Sequence, residues 1–178
     1  MRTLTRPLIG AGVLALLAAG GYAAAERGAP AGAADGDLCA LGSCEDGTVT
    51  RVIDGDTLDV DAGGHTQRVR VLGIDTPETK KPDEPVECFG PEATARAEAL
   101  LPAGTPVTLV TDDAADDTDD YGRALRHVTT ETGDNLGQIL VAEGYAETTT
   151  FPHSLTSDYS AAENAARDQH AGLWAACQ

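Results

Sequence analysis

Residues 48–74 read TVTRVIDGDTLDVDAGGHTQRVRVLGI, and this stretch predicts three consecutive β-strands. It is rich in β-branched residues, which favour strands. Gly55 interrupts the strand pattern once, and the DAGGHT turn interrupts it again. The strands are expected at TVTRVID (48–54), TLDVD (57–61) and QRVRVLGI (67–74).

The period of the pattern changes after residue 89. GPEATARAEALLPAG carries a stripe of alanine and leucine, with Pro91 in its first turn and Pro102 and Gly104 at its end, which is typical of a helix. Two strands and two helices follow: TPVTLVT (105–111), ALRHVTT (124–130), DNLGQILVAEG (134–144) and SDYSAAENAARDQHAG (157–172). This order predicts an α+β domain, a five-stranded OB-fold barrel with a helix after strand three and C-terminal helices.

The N-terminal residues have the composition of an export signal. Arg2 and Arg6 precede an apolar run that ends in small residues, as in a signal peptide cleaved after Ala25. An uncleaved membrane anchor is the alternative, because the run is nearly long enough to span a bilayer. We expect a secreted monomer with no membrane role beyond this segment. The predicted organisation is a signal at 1–25, a linker at 26–45 and a domain at 46–178.

The four cysteines suit disulfide chemistry in an exported protein. Four cysteines allow three pairings. The simplest joins Cys39 to Cys44 across a short loop and leaves Cys88 to tie down Cys177 near the C-terminus. A zinc site is the alternative, but no second close pair of Cys or His completes four ligands.

The chain carries 29 acidic and 12 basic side chains, for a formal net charge of −17. Without Arg2 and Arg6 the charge becomes −19. Such a surface opposes nucleic-acid binding, which depends on neutralising phosphates. It suits an extracellular or salty setting, where charge is strongly screened.

A pair of carboxylates lies at the break between the first two predicted strands, in Asp54-Gly55-Asp56-Thr57. Taken alone, this segment is typical of a β-turn. An EF-hand loop beginning at Asp54 fails, because its last ligand position falls on His65 rather than on a glutamate.

A second acidic segment, Asp75-Thr76-Pro77-Glu78, ends the third predicted strand. Pro77 favours an extended Thr76, whose carbonyl can then point outward. Carboxylate and carbonyl oxygens are the ligands of hard cations such as Ca²⁺. We therefore interpret Asp56, Asp75 and the Thr76 carbonyl as a metal site, with Glu78 orienting or deprotonating an attacking water.

Arg70 and Arg123 complete this set, because a guanidinium matches phosphate oxygens with a rigid donor fork. Each arginine alone is equally well interpreted as a surface ion pair. Strict alternation would place Arg70 and Asp75 on opposite faces of a strand. A bulge or bend is therefore required between them, and Gly73 is its expected position.

Together these segments closely resemble the staphylococcal nuclease (thermonuclease) family. The resemblance covers most of residues 48–174. It runs through VTRVIDGDTLDV, RVRVLGIDTPETK, ECFGPEA, DDYGRAL, NLGQILVAEGYA and GLW. Each motif alone is weak evidence for the family, but the order and spacing of all six make the resemblance strong.

The resemblance implies Ca²⁺-dependent hydrolysis of phosphodiester bonds in DNA, and in RNA, leaving 3′-phosphate ends. It also assigns roles to individual residues: Ca²⁺ binding to Asp56, Asp75 and the Thr76 carbonyl, catalysis to Glu78, phosphate contacts to Arg70 and Arg123, a place near the metal to Asp54, and a nucleotide phosphate contact to Tyr121.

The chain departs from the family pattern around the expected nucleotide pocket. Asp120 replaces a lysine, and Thr150 and Pro152 replace two tyrosines, with Phe151 as a partial substitute. These losses should weaken nucleotide binding, since each stacked base contributes roughly 1–3 kcal/mol. The acidic run at 112–120 is interpreted as a solvated loop or a looser second Ca²⁺ site. All four histidines are expected at the surface, with His153 near the pocket.

Two other classes of function remain open from the sequence. One is a non-catalytic nucleic-acid-binding module on the same fold. The other is a Ca²⁺-binding surface protein, which the acidity suggests but which does not explain Arg70 and Arg123.

Overall fold

The computed structural model describes residues 37–79 and 85–177. Its strands and helices run in the order 3₁₀ helix (Leu38–Leu41), β1 (Cys44–Val52), β2 (Thr57–Ala62), β3 (His65–Val71), β4 (Ile74–Asp75), α1 (Gly90–Leu100), β5 (Pro106–Val110), β6 (Ala124–Thr130), α2 (Leu136–Ala142), β7 (Glu147–Thr148), α3 (Thr156–Asp168) and α4 (Leu173–Ala176).

Five strands close into a barrel in the order β1-β2-β3-β6-β5, with β5 pairing back to β1. All pairs are antiparallel except β3 and β6, which run parallel with Val69 opposite Ala124. α1 lies between β3 and β5 in the chain, and the other helices follow the barrel. The predicted α+β OB-fold barrel is therefore confirmed.

The third predicted strand is too long at its C-terminal end. β3 ends at Val71, and Gly73 turns the chain with a φ of 83°. Ile74 and Asp75 then leave the barrel and pair with β7. The bend expected at Gly73 is confirmed, and it removes the conflict between Arg70 and Asp75.

The barrel interior is filled by aliphatic side chains from alternate strand positions. Those exposed by 1% or less include Val49, Leu58, Val60, Val69, Leu109 and Val128. α1 contributes Ala97, α2 contributes Leu140, and α3 contributes the fully buried Tyr159. Because aromatic residues are only 4% of the chain, these aliphatic layers form most of the core.

Both disulfides occur in the pairing that the sequence predicts, Cys39–Cys44 and Cys88–Cys177. Cys44 opens β1 opposite Val110, so the barrel begins two residues before the expected boundary at 46. The proposed signal and most of the linker lie outside the described residues. Within the described ranges, every helix is too short or too polar to span a membrane.

The prediction of four surface histidines is wrong, and the prediction of a solvated loop at 112–120 fails only at its first residue. His127 is completely buried and His153 is 6% exposed, so only His65 and His170 are surface histidines. Asp112, expected in a solvated loop, is 5% exposed. Asp112 and His127 are buried as a pair: Asp112 Oδ2 is 3.1 Å from His127 Nε2, which gives both groups a partner.

Candidate functional site

The Asp54-Gly55-Asp56 segment joins β1 to β2 and brings Asp56 against Thr76. Asp56 is 5% exposed, and its Oδ2 accepts hydrogen bonds from the Thr76 amide at 2.7 Å and the Thr76 hydroxyl at 2.9 Å. A Cβ on Gly55 would lie 2.7 Å from Thr76 Cγ2. Only glycine therefore permits this approach without displacement of Thr76.

Arg70 connects the two acidic segments. Its Nη1 lies 3.1 Å from Asp56 Oδ2, and its Nη2 donates to Asp75 Oδ1 at 2.6 Å. Nη1 also donates to the Ile74 carbonyl at 2.7 Å, which fixes the guanidinium against the turn after β3. The two aspartates thus converge on one positive group, although they are 19 positions apart in the chain.

The electrostatics of this cluster favour an added positive charge. Burial raises the pKa of Asp54, and the neighbouring Asp56 raises it further. Desolvation also raises the pKa of Asp75; Arg70 lowers it, while Glu87, Glu147 and Glu78 raise it. A hard divalent cation would relieve these like-charge interactions, and the donor set consists of the carboxylate oxygens that such ions prefer.

Glu78 lies beside this cluster in a short network with Glu87. The Glu78 amide donates to Glu87 Oε2 at 2.9 Å, and Glu78 Oε1 accepts from the Thr79 amide at 2.9 Å. The predicted general base is therefore held close enough to Asp75 to influence its pKa. Sequence reasoning assigned no role to Glu87, although it opens the ECFGPEA motif, and it missed Glu147, which lies outside the quoted motifs.

Arg123 and Tyr121 form a separate group at the start of β6. Arg123 Nε donates to Asp119 Oδ2 at 2.5 Å, and its guanidinium lies 5.4 Å from the Tyr121 ring centroid. Burial alone would raise the pKa of Asp119, but hydrogen bonds from Arg123 and from the Tyr121 amide outweigh it and lower that pKa. In the described ranges, these contacts do not join Arg123 to Asp56 or Asp75.

Two exposed aromatic side chains lie in the segments that were expected to contact a nucleotide. Tyr121 is 86% exposed and Phe151 is 73% exposed. Single exposed aromatic side chains are common on protein surfaces, so their exposure shows only that both rings are accessible to a ligand. The structure thus brings together the predicted residues Asp54, Asp56, Arg70, Asp75, Thr76 and Glu78. It places Arg123 and Tyr121 in a separate group, in the turn just before β6, the strand that pairs with β3.

Comparison with known proteins gives a consistent result. The family model described as Staphylococcal nuclease homologue matches residues 68–176. The chain is 40% identical over 105 residues to the thermonuclease of Staphylococcus intermedius, covering 58% of this chain and 60% of that protein. It is 31% identical over 147 residues to the uncharacterized protein MJ1439 of Methanocaldococcus jannaschii, covering 72% and 70% respectively.

A third relative is the SPbeta prophage-derived endonuclease YokF of Bacillus subtilis, 40% identical over 101 residues. That match covers 57% of this chain and only 33% of YokF. The chain therefore spans about a third of the length of YokF and less than two thirds of the length of the Staphylococcus intermedius thermonuclease.

Proposed function

The chain belongs to the staphylococcal nuclease family, whose model matches residues 68–176, and we propose that it is a secreted, Ca²⁺-dependent nuclease. It hydrolyses phosphodiester bonds of DNA, with RNA as a second substrate, and leaves 3′-phosphate ends. The observation that carries the proposal is the position of Arg70 between Asp56 and Asp75, which gathers phosphate-binding and cation-binding groups at one point.

Asp56 and Asp75 are the residues that would hold the cation, with the Thr76 carbonyl as a further ligand. The hydrogen bonds from Thr76 fix the orientation of the Asp56 carboxylate before any ligand binds. A bound divalent cation supplies Lewis-acid polarisation of a phosphoryl oxygen and offsets negative charge.

Arg70 binds the phosphate in this account. Its Nη1 is committed to the Ile74 carbonyl and Asp56, whereas its Nη2 pairs with Asp75, which is open to solvent. A phosphate oxygen that approaches from solvent can therefore replace Asp75 at Nη2. Charge-assisted hydrogen bonds of this kind strengthen as charge develops on the phosphoryl oxygens.

Glu78 accepts a proton from the attacking water, and Arg123 supplies a second positive contact to the phosphate. Asp119 positions Arg123, since it accepts from both the backbone and the side chain of that residue. Tyr121 and Phe151 offer exposed aromatic faces to the nucleotide.

Nuclease activity is tested by incubating the full chain with 5′-labelled DNA and RNA oligonucleotides in Ca²⁺ or in excess chelator. We expect cleavage only with Ca²⁺, and products whose mobility changes after phosphatase treatment because a 3′-phosphate is removed. Binding without cleavage would contradict the proposal and favour a binding module. Products with 3′-hydroxyl ends would contradict the proposed chemistry.

Export is supported by the signal-like composition of residues 1–25 and by the pairing of all four cysteines in disulfides. Export and signal cleavage are tested by expressing the chain in a bacterium and measuring the mass of the protein recovered from the culture medium. We expect a mature chain that begins at Glu26. Recovery of the intact 178-residue chain from the membrane fraction would show an anchor instead.

A further inference from the structure

A second cluster of ligand-type side chains lies inside the protein, formed by residues outside the carboxylate site. Asp112 follows β5, His127 lies in β6, and His153 lies just before α3. One ligand atom from each residue lies within 4.8 Å of the other two, and all three residues are buried.

The two histidines of this cluster differ in their hydrogen bonding. His127 Nε2 meets Asp112 Oδ2 at 3.1 Å, and its Nδ1 meets the Tyr159 hydroxyl at 3.3 Å. In the part of the chain that the structure describes, neither ring nitrogen of His153 has a hydrogen-bond partner. An unsatisfied buried polar group costs about 1–3 kcal/mol, so the position of His153 requires an explanation.

The protonation states of the cluster suit metal coordination. Burial alone would raise the pKa of Asp112, but hydrogen bonds from Ser154, Ala114 and His127 lower it to about 2. Burial lowers the pKa of both His127 and His153. The cluster therefore presents an ionised carboxylate and two neutral imidazoles at neutral pH, and these are the forms that ligate metals.

We propose that Asp112, His127 and His153 form a second metal site, separate from the carboxylate site, for a borderline transition-metal ion of the Zn²⁺ class. Two imidazole nitrogens and one carboxylate oxygen are typical zinc ligands, whereas Ca²⁺ takes oxygen ligands. The coordinating nitrogen of His153 would then no longer be unsatisfied.

The surroundings hold two of these ligands in a coordinating orientation. The Tyr159 hydroxyl donates to Asn135 Oδ1 at 3.1 Å. If a metal replaces the Nε2 proton that faces Asp112, His127 Nδ1 carries the ring proton and can donate it to the Tyr159 hydroxyl. The amide and hydroxyl of Ser154 each donate to Asp112 at 2.7 Å. Such outer partners fix the tautomer and the ring orientation of metal ligands.

The proposed site lies next to the turn that precedes Asp75, and its three protein ligands leave the fourth tetrahedral position for a water molecule. It ties the end of β5 to β6 and to the segment before α3. The ring of His153 packs directly on Gly73, where a Cβ would lie 2.6 Å from Nε2. Metal binding would therefore fix the His153 ring against Gly73 in the β3–β4 turn. It would also join the end of β5, β6 and the segment before α3.

The test uses the full chain after dialysis against a chelator, titrated with Co²⁺ and then with Zn²⁺. We expect one Co²⁺ per chain with the intense visible absorption of a tetrahedral site, displacement by Zn²⁺, and a rise of several degrees in melting temperature with Zn²⁺. His153→Asn should lose the absorption and the thermal shift. These readouts do not depend on nuclease activity.

Two matched variants separate this site from other metal ligands. His65→Asn removes an exposed histidine, and Asp56→Asn alters the carboxylate site; both should keep the Co²⁺ spectrum. His153→Gln, with folding checked by circular dichroism, repeats the test if the Asn variant is unstable. Absence of Zn²⁺ binding by the wild-type protein, binding retained by the folded His153 variants, or a Co²⁺ spectrum lost in Asp56→Asn would each overturn the proposal.

Discussion

Arg70 shows how much of the site depends on single contacts. Its guanidinium satisfies Asp56, Asp75 and a backbone carbonyl at once, and its side chain is only 14% exposed. A lysine has a single ammonium group and cannot reproduce this fork. Gly55 is equally specific, because a Cβ there would collide with Thr76 and move it away from Asp56.

Replacing Glu78 with glutamine tests its role as a base. The change removes the proton acceptor but keeps the shape, so we expect kcat to fall about 10²–10⁴-fold with little change in KM. Glu98→Gln, on the exposed face of α1, is the matched control and should behave as wild type. Wild-type turnover by the Glu78 variant, measured in initial-rate assays on DNA, would remove Glu78 from the mechanism.

Replacing Arg123 with lysine tests the phosphate contact. The positive charge remains but the fork is lost, so the cost should approach that of a charge-assisted hydrogen bond, about 1.5–3 kcal/mol, or about 10–160-fold in kcat/KM. Arg51→Lys is the control, since Arg51 is an exposed arginine that pairs with Asp59. Equal kcat/KM values for the two variants would place Arg123 outside the site.

At the scale of elements, the barrel is held by pairing between strands that are distant in sequence, such as β1 with β5 and β3 with β6. The Cys88–Cys177 disulfide adds a further long-range connection. Cys88 and Cys177 are 89 positions apart, and their bridge joins the segment before α1 to the C-terminus. The bridge between Cys39 and Cys44 spans five positions and closes a small loop.

The two bridges should therefore differ in their contribution to stability. In the chain-entropy model, the long bridge stabilises the fold by about 4–5 kcal/mol and the short one by about 2 kcal/mol. Urea denaturation of the double variants Cys88→Ser/Cys177→Ser and Cys39→Ser/Cys44→Ser measures both. A larger loss for the short bridge, or a Cys44–Cys88 peptide in a non-reducing digest, would contradict the assignment.

The sequence predicted all five barrel strands because each is a segment of five residues or more in which valine and threonine recur. It did not predict β4 and β7, because a two-residue pair has no periodicity and forms only after Gly73 turns the chain. The ligand-type residues at Asp56 and Asp75 were found through their motifs. Asp112, His127 and His153 were missed because each lies in a different segment and only tertiary packing brings them together.

At the scale of the whole molecule, the balance of 29 acidic to 12 basic side chains opposes the approach of DNA. The positive groups proposed to meet phosphate, Arg70 and Arg123, are both paired with carboxylates in this structure. The net charge should therefore affect the rate of encounter with DNA, whereas the arginines should determine binding at close range.

This conflict predicts an unusual dependence on salt. Most nucleic-acid binders lose affinity as salt rises, because counterions compete for the phosphates. Here salt also screens long-range repulsion, over a Debye length of about 10 Å at 0.1 M. We expect kcat/KM on DNA to hold or rise with moderate NaCl before it falls. A steep and continuous fall from the lowest salt would show that the arginine contacts dominate.

The central claim is that a cation held by Asp56 and Asp75 supports phosphodiester hydrolysis. It is tested most directly by the initial rate of DNA cleavage as a function of Ca²⁺ concentration for the wild type and Asp56→Asn. Asp168→Asn, which alters an exposed aspartate at the end of α3, is the matched control. We predict saturable Ca²⁺ dependence for the wild type and the control, and for Asp56→Asn no rate above that in chelator. An Asp56→Asn variant with the wild-type Ca²⁺ dependence, or a wild-type rate unchanged by chelator, would contradict the account.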